Sequence, residues 1–409
     1  MNLEFFIAKR FISSKSYKSS VSLPIIKIAV SAIAIGIIMM IIAIATGIGL
    51  QQKIRQKIAA FSGHVIISNF DDNQTQITKT PININQKFYP KFKNVNGVTH
   101  IQAVATKAGI IRTENSFEGI VIKGVGKDYN FSLLQEYLTE GKLPNIKNDL
   151  NNEVLISSYL ANRLQLKLGD KFLTFFMKEE GKMPNKRVFK IVGIYNSGFQ
   201  EFDASYLIAD IRHIQRMNKW QENEVGAFEV FLNDFNKIDE KGKEIYKAIP
   251  STLNSVTISE KYYSIFEWLK LFDFNIMVIL IVMIAVASIN MIVALLVLIL
   301  ERTATVGILK SLGATNWSIR KIFLYNAAYL VFRGLLLGNI IALIILFVQY
   351  YFKIIKLNPQ NYYVSVAPIS FSWSYFLAVN VLSLIICMIV LIIPSYIVTK
   401  ISPLKAMRF

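Results

Sequence analysis

The sequence ERTATVGILKSLGA, residues 301–314, lies between two long apolar runs. One face of a helix through it is apolar, because four residues fall at i, i+3, i+4 and i+7: Thr305, Ile308, Leu309 and Leu312. Gly313 follows, where a left-handed residue ends many helices, and Thr315 or Asn316 can cap the next helix. The pattern predicts a short amphipathic helix between membrane segments, which is either an ordinary connector or an element that a partner protein pushes.

The composition indicates a membrane protein. The chain has 409 residues, of which 53% are hydrophobic, and its one cysteine, Cys387, excludes an intrachain disulfide. The formal net charge is +18, but residues 51–270 carry 30 Lys+Arg and 24 Asp+Glu. The excess of positive charge therefore lies at the ends of the apolar runs, which is the positive-inside pattern and not a stripe that tracks nucleic acid. The scattered residues His64, His100 and His213 predict no metal site.

Four apolar runs are long enough to cross about 30 Å of hydrocarbon. They are residues 25–50, 274–300, 322–351 and 371–398. Basic residues precede the first run and occupy the 301–321 loop and the tail, so both termini are predicted to be cytoplasmic. The first run exceeds the 7–15 or so residues of a signal-peptide core, so we favour a retained helix over a cleaved one, although Ala43-Ile44-Ala45 has the form of a cleavage site.

These runs predict an order of segments along the chain. An interfacial amphipathic helix at 1–23 carries Leu3, Phe6, Ile7 and Phe11 on one face. The remaining segments are a first span at 24–50, an outward domain at 51–270, a second span at 271–300, a cytoplasmic coupling segment at 301–321, a third span at 322–351, an outward loop at 352–370, a fourth span at 371–398 and a cytoplasmic tail at 399–409.

Several residues within the spans need an explanation. Asn290 predicts an interhelical hydrogen bond, since polar groups in lipid are costly unless paired. Arg333 either faces a wet or paired interior, or Trp317–Phe332 is an elbow helix along the interface; we favour the elbow. Small residues four apart permit close helix contact in the first span, at Ala32/Gly36, Ala43/Gly47 and Ala45/Gly49.

Residues 51–270 show both structural periods and predict an α+β domain. The predicted strands are Val65–Ser68, Gly119–Val125, Glu153–Ile156, Lys171–Phe176, Val188–Tyr195 and Glu229–Leu232. The predicted helices begin after a cap at Ser157 or Ser158 and run to Leu166, then cover Ile211–Met217, Phe235–Ala248 and Glu260–Leu271, the last continuous with the second span. No nucleophile-and-base pair, metal spacing or phosphate loop is present in the sequence, which predicts a chain without a catalytic site.

Motifs along nearly the whole chain resemble the MacB/FtsX superfamily of ABC-transporter permeases. ER-x4-GILK-x-LGAT at 301–315 resembles its cytoplasmic coupling segment, and residues 121–125, 140–144, 160–170, 394–396 and 402–408 resemble its other signatures. The stretches 49–67 and 181–194, continued at 197–203, resemble the lipoprotein-releasing (Lol) permeases more narrowly. Residues 175–180 form a shorter segment than in the enterobacterial-type permeases, where a hairpin called the hook grips a periplasmic carrier.

The resemblance implies a fold of four transmembrane helices with a large α+β periplasmic domain, MacB-like, inserted between the first and second. It implies a permease of a type VII ABC exporter in the inner membrane of a diderm bacterium, which extracts lipoproteins by mechanical work. The chain itself would bind no cofactor, because ATP and Mg²⁺ belong to a separate LolD-like ATPase. The other implied partners are a second permease copy or a paralogue, a LolA-like lipoprotein carrier, the lipoprotein and membrane lipid, with no nucleic acid.

The resemblance also assigns candidate residues. The ATPase would dock on Arg302, Val306, Gly307, Ile308, Leu309, Lys310, Leu312, Gly313 and Ala314, with Leu309 and Leu312 in its cleft and Arg302 or Lys310 at an acidic rim. Met183, Pro184 and Arg187 would form the carrier-binding hook, unless 175–187 is only a surface hairpin. Ile37, Met40, Ile44, Ile48, Phe274 and Met277 would hold acyl chains, unless they serve helix packing or face lipid.

Other functions remain open at the level of sequence. A MacB-like exporter of peptides or small molecules usually carries a fused ATPase domain, and an FtsX-like regulator of cell-wall hydrolases typically has a smaller outward domain. A membrane-anchored scaffold without a transport role would leave the coupling motif without a purpose.

Overall fold

The computed structural model describes residues 3–13, 22–72, 77–114, 116–146, 150–177 and 183–400. The chain divides into two compact units. The bundle comprises Met1–Gln51, Trp268–Lys356 and Val366–Phe409, and the domain comprises Gln52–Glu267 and Leu357–Ser365.

The helices and strands are as follows in chain order. The helices are α1 (Leu3–Ser13), α2 (Ser22–Ser62), α3 (Ser158–Leu164), α4 (Gln200–Asp203), α5 (Arg212–Asn218), α6 (Ile238–Ala248), α7 (Ile258–Lys261), α8 (Tyr263–Glu301), α9 (Thr303–Ser311), α10 (Asn316–Phe352), α11 (Pro359–Tyr362) and α12 (Trp373–Ser395). The strands are β1 (Val65–Asn69), β2 (Ile82–Asn83), β3 (Val98–Arg112), β4 (Phe117–Val125), β5 (Leu138–Gly141), β6 (Glu153–Ser157), β7 (Lys171–Phe176), β8 (Asn185–Tyr195), β9 (Tyr206–Asp210), β10 (Glu224–Val225), β11 (Ala227–Leu232) and β12 (Leu253–Thr257).

The bundle is built from α2, α8, α10 and α12, each of which is long and apolar enough to cross a membrane. Each of these helices overlaps one of the four predicted runs, but α2 continues to Ser62 and α8 begins at Tyr263, so both extend well beyond the predicted spans. α10 runs unbroken from Asn316 to Phe352, so the predicted elbow at Trp317–Phe332 is not a separate helix. Within α10, the Arg333 guanidinium lies 4.5 Å from the centroid of the Tyr329 ring, a cation–π distance.

Glycines bring α2 close to its neighbours. A Cβ on Gly334 of α10 would lie 2.7 Å from Cβ of Ile33, and one on Gly338 would lie 2.8 Å from the Ala34 carbonyl oxygen. Only residues without a side chain permit such an approach between helices. The sequence G-x-x-x-G at 334–338 therefore fixes the contact between α2 and α10, although its spacing passed unnoticed in the sequence.

The small residues that were predicted to mediate contacts in α2 do so at two positions. A Cβ on Gly47 would meet the side chain of Ile276 at 2.6 Å, and one on Gly36 would lie 3.7 Å from the Met283 carbonyl oxygen. Both partners belong to α8, so this face of α2 packs against α8. The interhelical hydrogen bond predicted for Asn290 is wrong within this chain, because its amide donates to the Val286 carbonyl of its own helix at 2.9 Å.

The N-terminal helix α1 packs against the first turns of α10. The Ser318 hydroxyl donates to the Glu4 carboxylate at 3.1 Å, and the Phe5 and Tyr325 rings meet edge to face with centroids 5.9 Å apart. Phe6 is 40% exposed. The side chains of Leu3 and Phe11, two members of the predicted apolar face, lie outside the described residues.

The domain is a mixed sheet with helices packed on it, so the predicted α+β class is confirmed. The strand order is β12-β1-β11-β3-β4-β9-β6-β8-β5, and β7 lies off this path, pairing with β3 and β8. The pairs β4–β9 and β6–β8 are parallel and the other pairs in the sheet are antiparallel. β11 is buried along its whole length, which accounts for its apolar sequence AFEVFL.

Caps set the ends of the domain helices. The Ser157 hydroxyl accepts a hydrogen bond from the Leu160 backbone N–H at 3.0 Å, which confirms the predicted start of α3. Thr257 and Glu260 form a reciprocal capping box at the start of α7. The chain then breaks its helical path at Tyr262, so the helix predicted to run through Glu260–Leu271 into the second span begins only at Tyr263.

Candidate functional site

The coupling segment forms α9 and the first turns of α10, and the turn between these helices has the predicted glycine and cap. Gly313 adopts a φ of +91°, in the left-handed region, just after the helix. The Thr315 hydroxyl accepts a hydrogen bond from the Ser318 backbone N–H at 3.2 Å and thereby caps α10. The turn between α9 and α10 is thus closed by a glycine on one side and a cap on the other, which holds α9 at a defined angle to α10.

The residues predicted to dock the ATPase divide between a buried face and an exposed face of α9. Val306 is 1% exposed, and Leu309 is partly buried against the core of the bundle. By contrast, Ile308 is 51% exposed and Leu312 is 79% exposed. Of the predicted pair, Leu312 is therefore exposed and Leu309 is packed inward, while Ile308 and Leu312 lie one helical turn apart on the outer face.

One of the two cations predicted to face the ATPase, Lys310, is bonded within the bundle. The Lys310 ammonium donates to the carbonyls of Val398 and Thr399 at 2.9 and 3.2 Å, so it holds the end of the fourth span instead of reaching outward. Lys310 is one of the two residues predicted to meet an acidic rim of the ATPase, and in this structure its ammonium is bonded to the bundle instead. Arg302 is half-buried at the start of α9, and Gly307 is buried while Ala314 is half-buried.

A second cationic group fastens α10 to the end of α12. The Arg320 guanidinium donates to the Ser395 hydroxyl at 3.1 Å and lies 5.2 Å from the ring centroids of both Trp317 and Tyr396. Trp317 is 55% exposed. Sequence reasoning did not single out these residues, because the contact joins positions more than 70 residues apart.

The hook-like stretch is a β-hairpin of β7 and β8. Its register pairs Lys171 with Lys190 at one end and Phe176 with Asn185 at the other. Near the tip, Met183 is 87% exposed and Met177 is 66% exposed, while Pro184 and Arg187 are half-buried. Residues 178–182, which include part of the predicted motif, lie outside the described residues.

At the described end of the hairpin, Phe175 of β7 pairs with Ile110 of β3. A cavity of about 540 Å³ at this point is lined by Ile110, Arg112, Thr113, Glu114, Ser116, Phe117, Phe175 and Pro184. Phe117 is 74% exposed. Two neighbouring hairpins therefore present methionine and aromatic side chains to solvent, a surface larger than the hook motif alone predicts.

The structure divides the predicted acyl-chain residues into two groups. Ile37 and Met40 are each 1% exposed and line a cavity of only about 10 Å³ with side chains of α8, α10 and α12. Ile44 is 8% exposed and Ile48 packs against the same core. These α2 residues form the interior of the bundle, so the prediction that they line an acyl cavity is wrong for this conformation. Phe274 and Met277 of α8 are 59% and 49% exposed and remain available.

The domain also buries an ion pair. The Lys123 ammonium donates to a Glu229 carboxylate oxygen at 2.5 Å and to the Phe61 carbonyl at 2.6 Å. The second Glu229 oxygen accepts from the Gln102 amide at 2.8 Å. Each charge therefore has partners, which is what makes its burial tolerable. Within the described residues, no group of three or more His, Cys, Asp or Glu could hold a metal ion.

A half-buried histidine just before β1 is hydrogen-bonded to the last residue of β11. His64 Nδ1 accepts a hydrogen bond from the Leu232 backbone N–H at 3.0 Å, and burial lowers the pKa of His64 to about 4. A neutral ring is required for Nδ1 to accept, so the bond and the lowered pKa agree. His64 is thus a structural residue of the sheet.

Comparison with known proteins relates both units to permeases. Residues 28–245, more than half of the chain, match the family of the MacB-like periplasmic core domain, and residues 277–403 match the FtsX-like permease C-terminal. Over 417 residues the chain is 24% identical to the lipoprotein-releasing system transmembrane protein LolC of Haemophilus influenzae, which covers 100% of this chain and 99% of that protein.

Two further relatives match with the same completeness. LolC of Neisseria meningitidis serogroup B is 22% identical over 435 residues, and LolE of Haemophilus influenzae is 20% identical over 429 residues. Each alignment covers 100% of this chain and 99% of the relative. The chain therefore belongs to the MacB/FtsX superfamily of ABC permeases, and these three relatives that match it from end to end are transmembrane proteins of lipoprotein-releasing systems.

Proposed function

We propose that this chain is the permease subunit of a lipoprotein-releasing ABC transporter, which extracts lipoproteins from the inner membrane and passes them to a periplasmic carrier. The observation that carries this proposal is the end-to-end similarity to LolC and LolE proteins, which includes both the bundle and the domain. The chain would act without a catalytic site of its own, as a transmitter of conformational work. ATP and Mg²⁺ would be bound by a separate ATPase subunit.

The ATPase would engage α9 from the cytoplasm. Positive charge at both termini and in the 301–321 loop supports this orientation, with the domain on the periplasmic side. Ile308 and Leu312 offer two exposed apolar side chains one turn apart, which is the pattern with which a helix fills a groove. Because Gly313 and the Thr315 cap fix the turn, a push on α9 would be passed to α10.

The lipid-bearing cargo would be held against α8. Phe274, Met277 and Ile281 are 59%, 49% and 61% exposed on this helix, and they recur at spacings of three and four residues on one face. A second permease, either a copy of this chain or a paralogue, would supply the opposite wall. Release would follow when ATP-driven closure narrows the space between the two permeases.

The carrier would dock on the tip of the β7–β8 hairpin. Met183 and Met177 are flexible apolar side chains that adapt to a partner surface. Phe117 extends the same surface from the neighbouring hairpin and supports a binding area wider than the hook motif. Arg187 donates to the Lys186 carbonyl at 3.0 Å, which orients a cation at the edge of this surface.

The proposal is tested by reconstituting the purified chain with its ATPase in proteoliposomes that contain a triacylated lipoprotein. Addition of ATP and a soluble carrier should transfer the lipoprotein to the carrier, and ADP should not. Leu312→Asp should abolish transfer, while Leu312→Met should preserve it. Transfer that proceeds equally without ATP, or ATP-driven export of a peptide or small molecule in place of the lipoprotein, would overturn the assignment.

A further inference from the structure

The segment between the third and fourth spanning helices, Leu357–Ser365, belongs to the domain and is called the strap below. The Leu357 backbone N–H donates to the Ser365 carbonyl at 3.0 Å and closes its base. The strap contains α11, which begins with Pro359 and is capped by Asn358, whose side chain accepts from the Gln360 N–H at 3.0 Å. The strap therefore has a defined shape of its own.

An aromatic stack holds the strap against the domain. The Tyr363 ring lies on the Phe199 ring with centroids 4.4 Å apart and planes 15° apart. Phe199 is fully buried, directly before α4. Tyr363 is the C-cap of α11 and has a φ of +58°, in the left-handed region that commonly ends a helix. The stack therefore holds the end of α11 against the residue that precedes α4.

A charged group adds a second attachment at the same point. The ammonium of Lys57, a residue of α2 within the domain, donates to the Tyr363 carbonyl at 2.7 Å and lies 5.8 Å from the Phe199 ring centroid. Asp203 lies near Lys57 and accepts from the backbone N–H groups of Ser197 and Gly198 at 3.0 and 2.9 Å. These bonds fix the loop that carries Phe199.

A glycine leaves room for the attachment. Gly198 has a φ of +67°, and a Cβ at this position would lie 3.1 Å from the Lys57 ammonium and 3.4 Å from the Tyr363 carbonyl oxygen. A side chain here would meet both the unfavourable backbone conformation and the two bonded atoms. Three separate features therefore converge on one contact: the stack, the ammonium bond and the glycine.

We propose that the strap is a latch, through which movement of α10 and α12 reaches the domain in addition to the path along α2 and α8. The strap is joined to α10 and α12 by a few residues on each side, so any shift of their ends pulls directly on Tyr363. The inference rests on the proposed function, because it assigns the strap a part in transmitting ATP-driven movement. It requires that the Phe199–Tyr363 contact persist while the bundle moves.

The test is hydrogen exchange measured on the full chain with its ATPase in lipid nanodiscs. Tyr363→Ala removes the ring from Phe199 and should raise exchange in 357–365 and in 196–203 by up to about tenfold, the effect of losing one aromatic pair. Tyr363→Phe keeps the ring and should behave as the parent. Tyr362→Ala is the matched control, because Tyr362 lies next to Tyr363 and is 39% exposed. Gly198→Ala should mimic Tyr363→Ala from the other side of the contact.

A second arm compares ATP with ADP. In the parent chain, ATP should change exchange in the domain, and Tyr363→Ala should lose most of that change while ATP hydrolysis continues. Unchanged exchange in 357–365 on removal of the ring, an undiminished ATP response of the domain in Tyr363→Ala, or no ATP response in the parent would each overturn the latch. A normal ATP response in the parent without transfer of lipoprotein would instead overturn the proposed function and leave the latch standing.

Discussion

At the scale of single residues, His64 should make the free energy of unfolding depend on pH, because its ring accepts a hydrogen bond only when neutral. Its folded-state pKa of about 4 lies below the value of about 6.5 for an unfolded histidine. Between these values the unfolded state binds a proton that the folded state does not, so the free energy of unfolding falls as the pH falls from about 6.5 to about 4. Protonation also breaks the bond from the Leu232 N–H.

We expect His64 to cost about 1–2 kcal/mol of stability between pH 7 and pH 5. Thermal unfolding of the detergent-solubilised chain at the two pH values measures this, and His64→Asn, which does not titrate, should show a smaller loss. Burial lowers the pKa of His213 as well, so the variant should retain part of the pH dependence. Equal losses in parent and variant would show that His64 does not contribute.

The Lys123–Glu229 pair predicts an asymmetry between single and double substitutions. Both side chains are at most 6% exposed, so Lys123→Met leaves a buried carboxylate without its cation. We expect this variant to lose about 3–5 kcal/mol. Lys123→Met combined with Glu229→Gln leaves no unpaired charge and should recover part of that loss. The measurement is the unfolding midpoint of the parent, of Lys123→Met and of the double variant. A double variant less stable than Lys123→Met would contradict the interpretation.

At the scale of elements, exposed and buried side chains of the α9 segment should respond differently to substitution. Leu312 is 79% exposed, so Leu312→Asp should change the stability of the chain by no more than about 0.5 kcal/mol and still weaken binding of the ATPase by at least about tenfold. Leu309 packs against the core, so Leu309→Asp should lower the unfolding midpoint of the chain itself.

Binding of the ATPase to the immobilised permease, measured beside thermal unfolding, distinguishes the two positions. Leu312→Met is the matched control for an apolar side chain at the exposed site. If Leu309→Asp left the midpoint unchanged and Leu312→Asp left the binding unchanged, the assignment of the outer face of α9 would be wrong.

The β7–β8 hairpin makes a prediction about the carrier. Met183 is 87% exposed, and truncation of a central apolar contact typically weakens an interface by at least about tenfold. Met183→Ser should therefore weaken binding of the lipoprotein carrier without changing ATP hydrolysis. Tyr246→Ser, which removes an exposed ring on α6, is the control and should leave binding unchanged. Surface plasmon resonance with the permease in nanodiscs would measure both.

The local sequence pattern predicted some strands of the domain correctly and missed others. The predicted strand Lys171–Phe176 agrees with β7 at both ends, because alternation and aromatic content were strong there. The longest strand, β3, was missed, since its segment AVATKAG consists mainly of residues with weak strand preference. Its pairing with β4, β7 and β11 holds it in place, and such long-range pairing cannot be seen in a local window.

At the scale of the whole molecule, the sequence located the site elements better than the roles of their side chains. The period of α9 showed that Leu309 and Leu312 are apolar, but only the packing of the bundle shows that Leu309 faces inward. The same holds for Ile37 and Met40, whose helical spacing suited a lipid-facing stripe as well as a buried one. The strap contact joins Phe199 to Tyr363, 164 positions later, and no local pattern predicts it.

Under the proposed function, each part of the chain has a place in one mechanical path. The outer face of α9 would receive the push, α10 and α12 would carry it to the strap, and the hairpins of the domain would present the carrier surface. This path needs no catalytic group in the chain, and it makes the identity of the bound proteins the most direct evidence for the function.

The central claim is tested by purifying the chain in nanodiscs from its native membrane and identifying the bound proteins and lipid-modified partners by mass spectrometry. We predict an ABC ATPase together with triacylated lipoproteins, and the permease stoichiometry will show whether the pair is homomeric. Recovery of the ATPase with activators of cell-wall hydrolases, or with an outer-membrane efflux channel, in place of lipoproteins would contradict the proposed cargo.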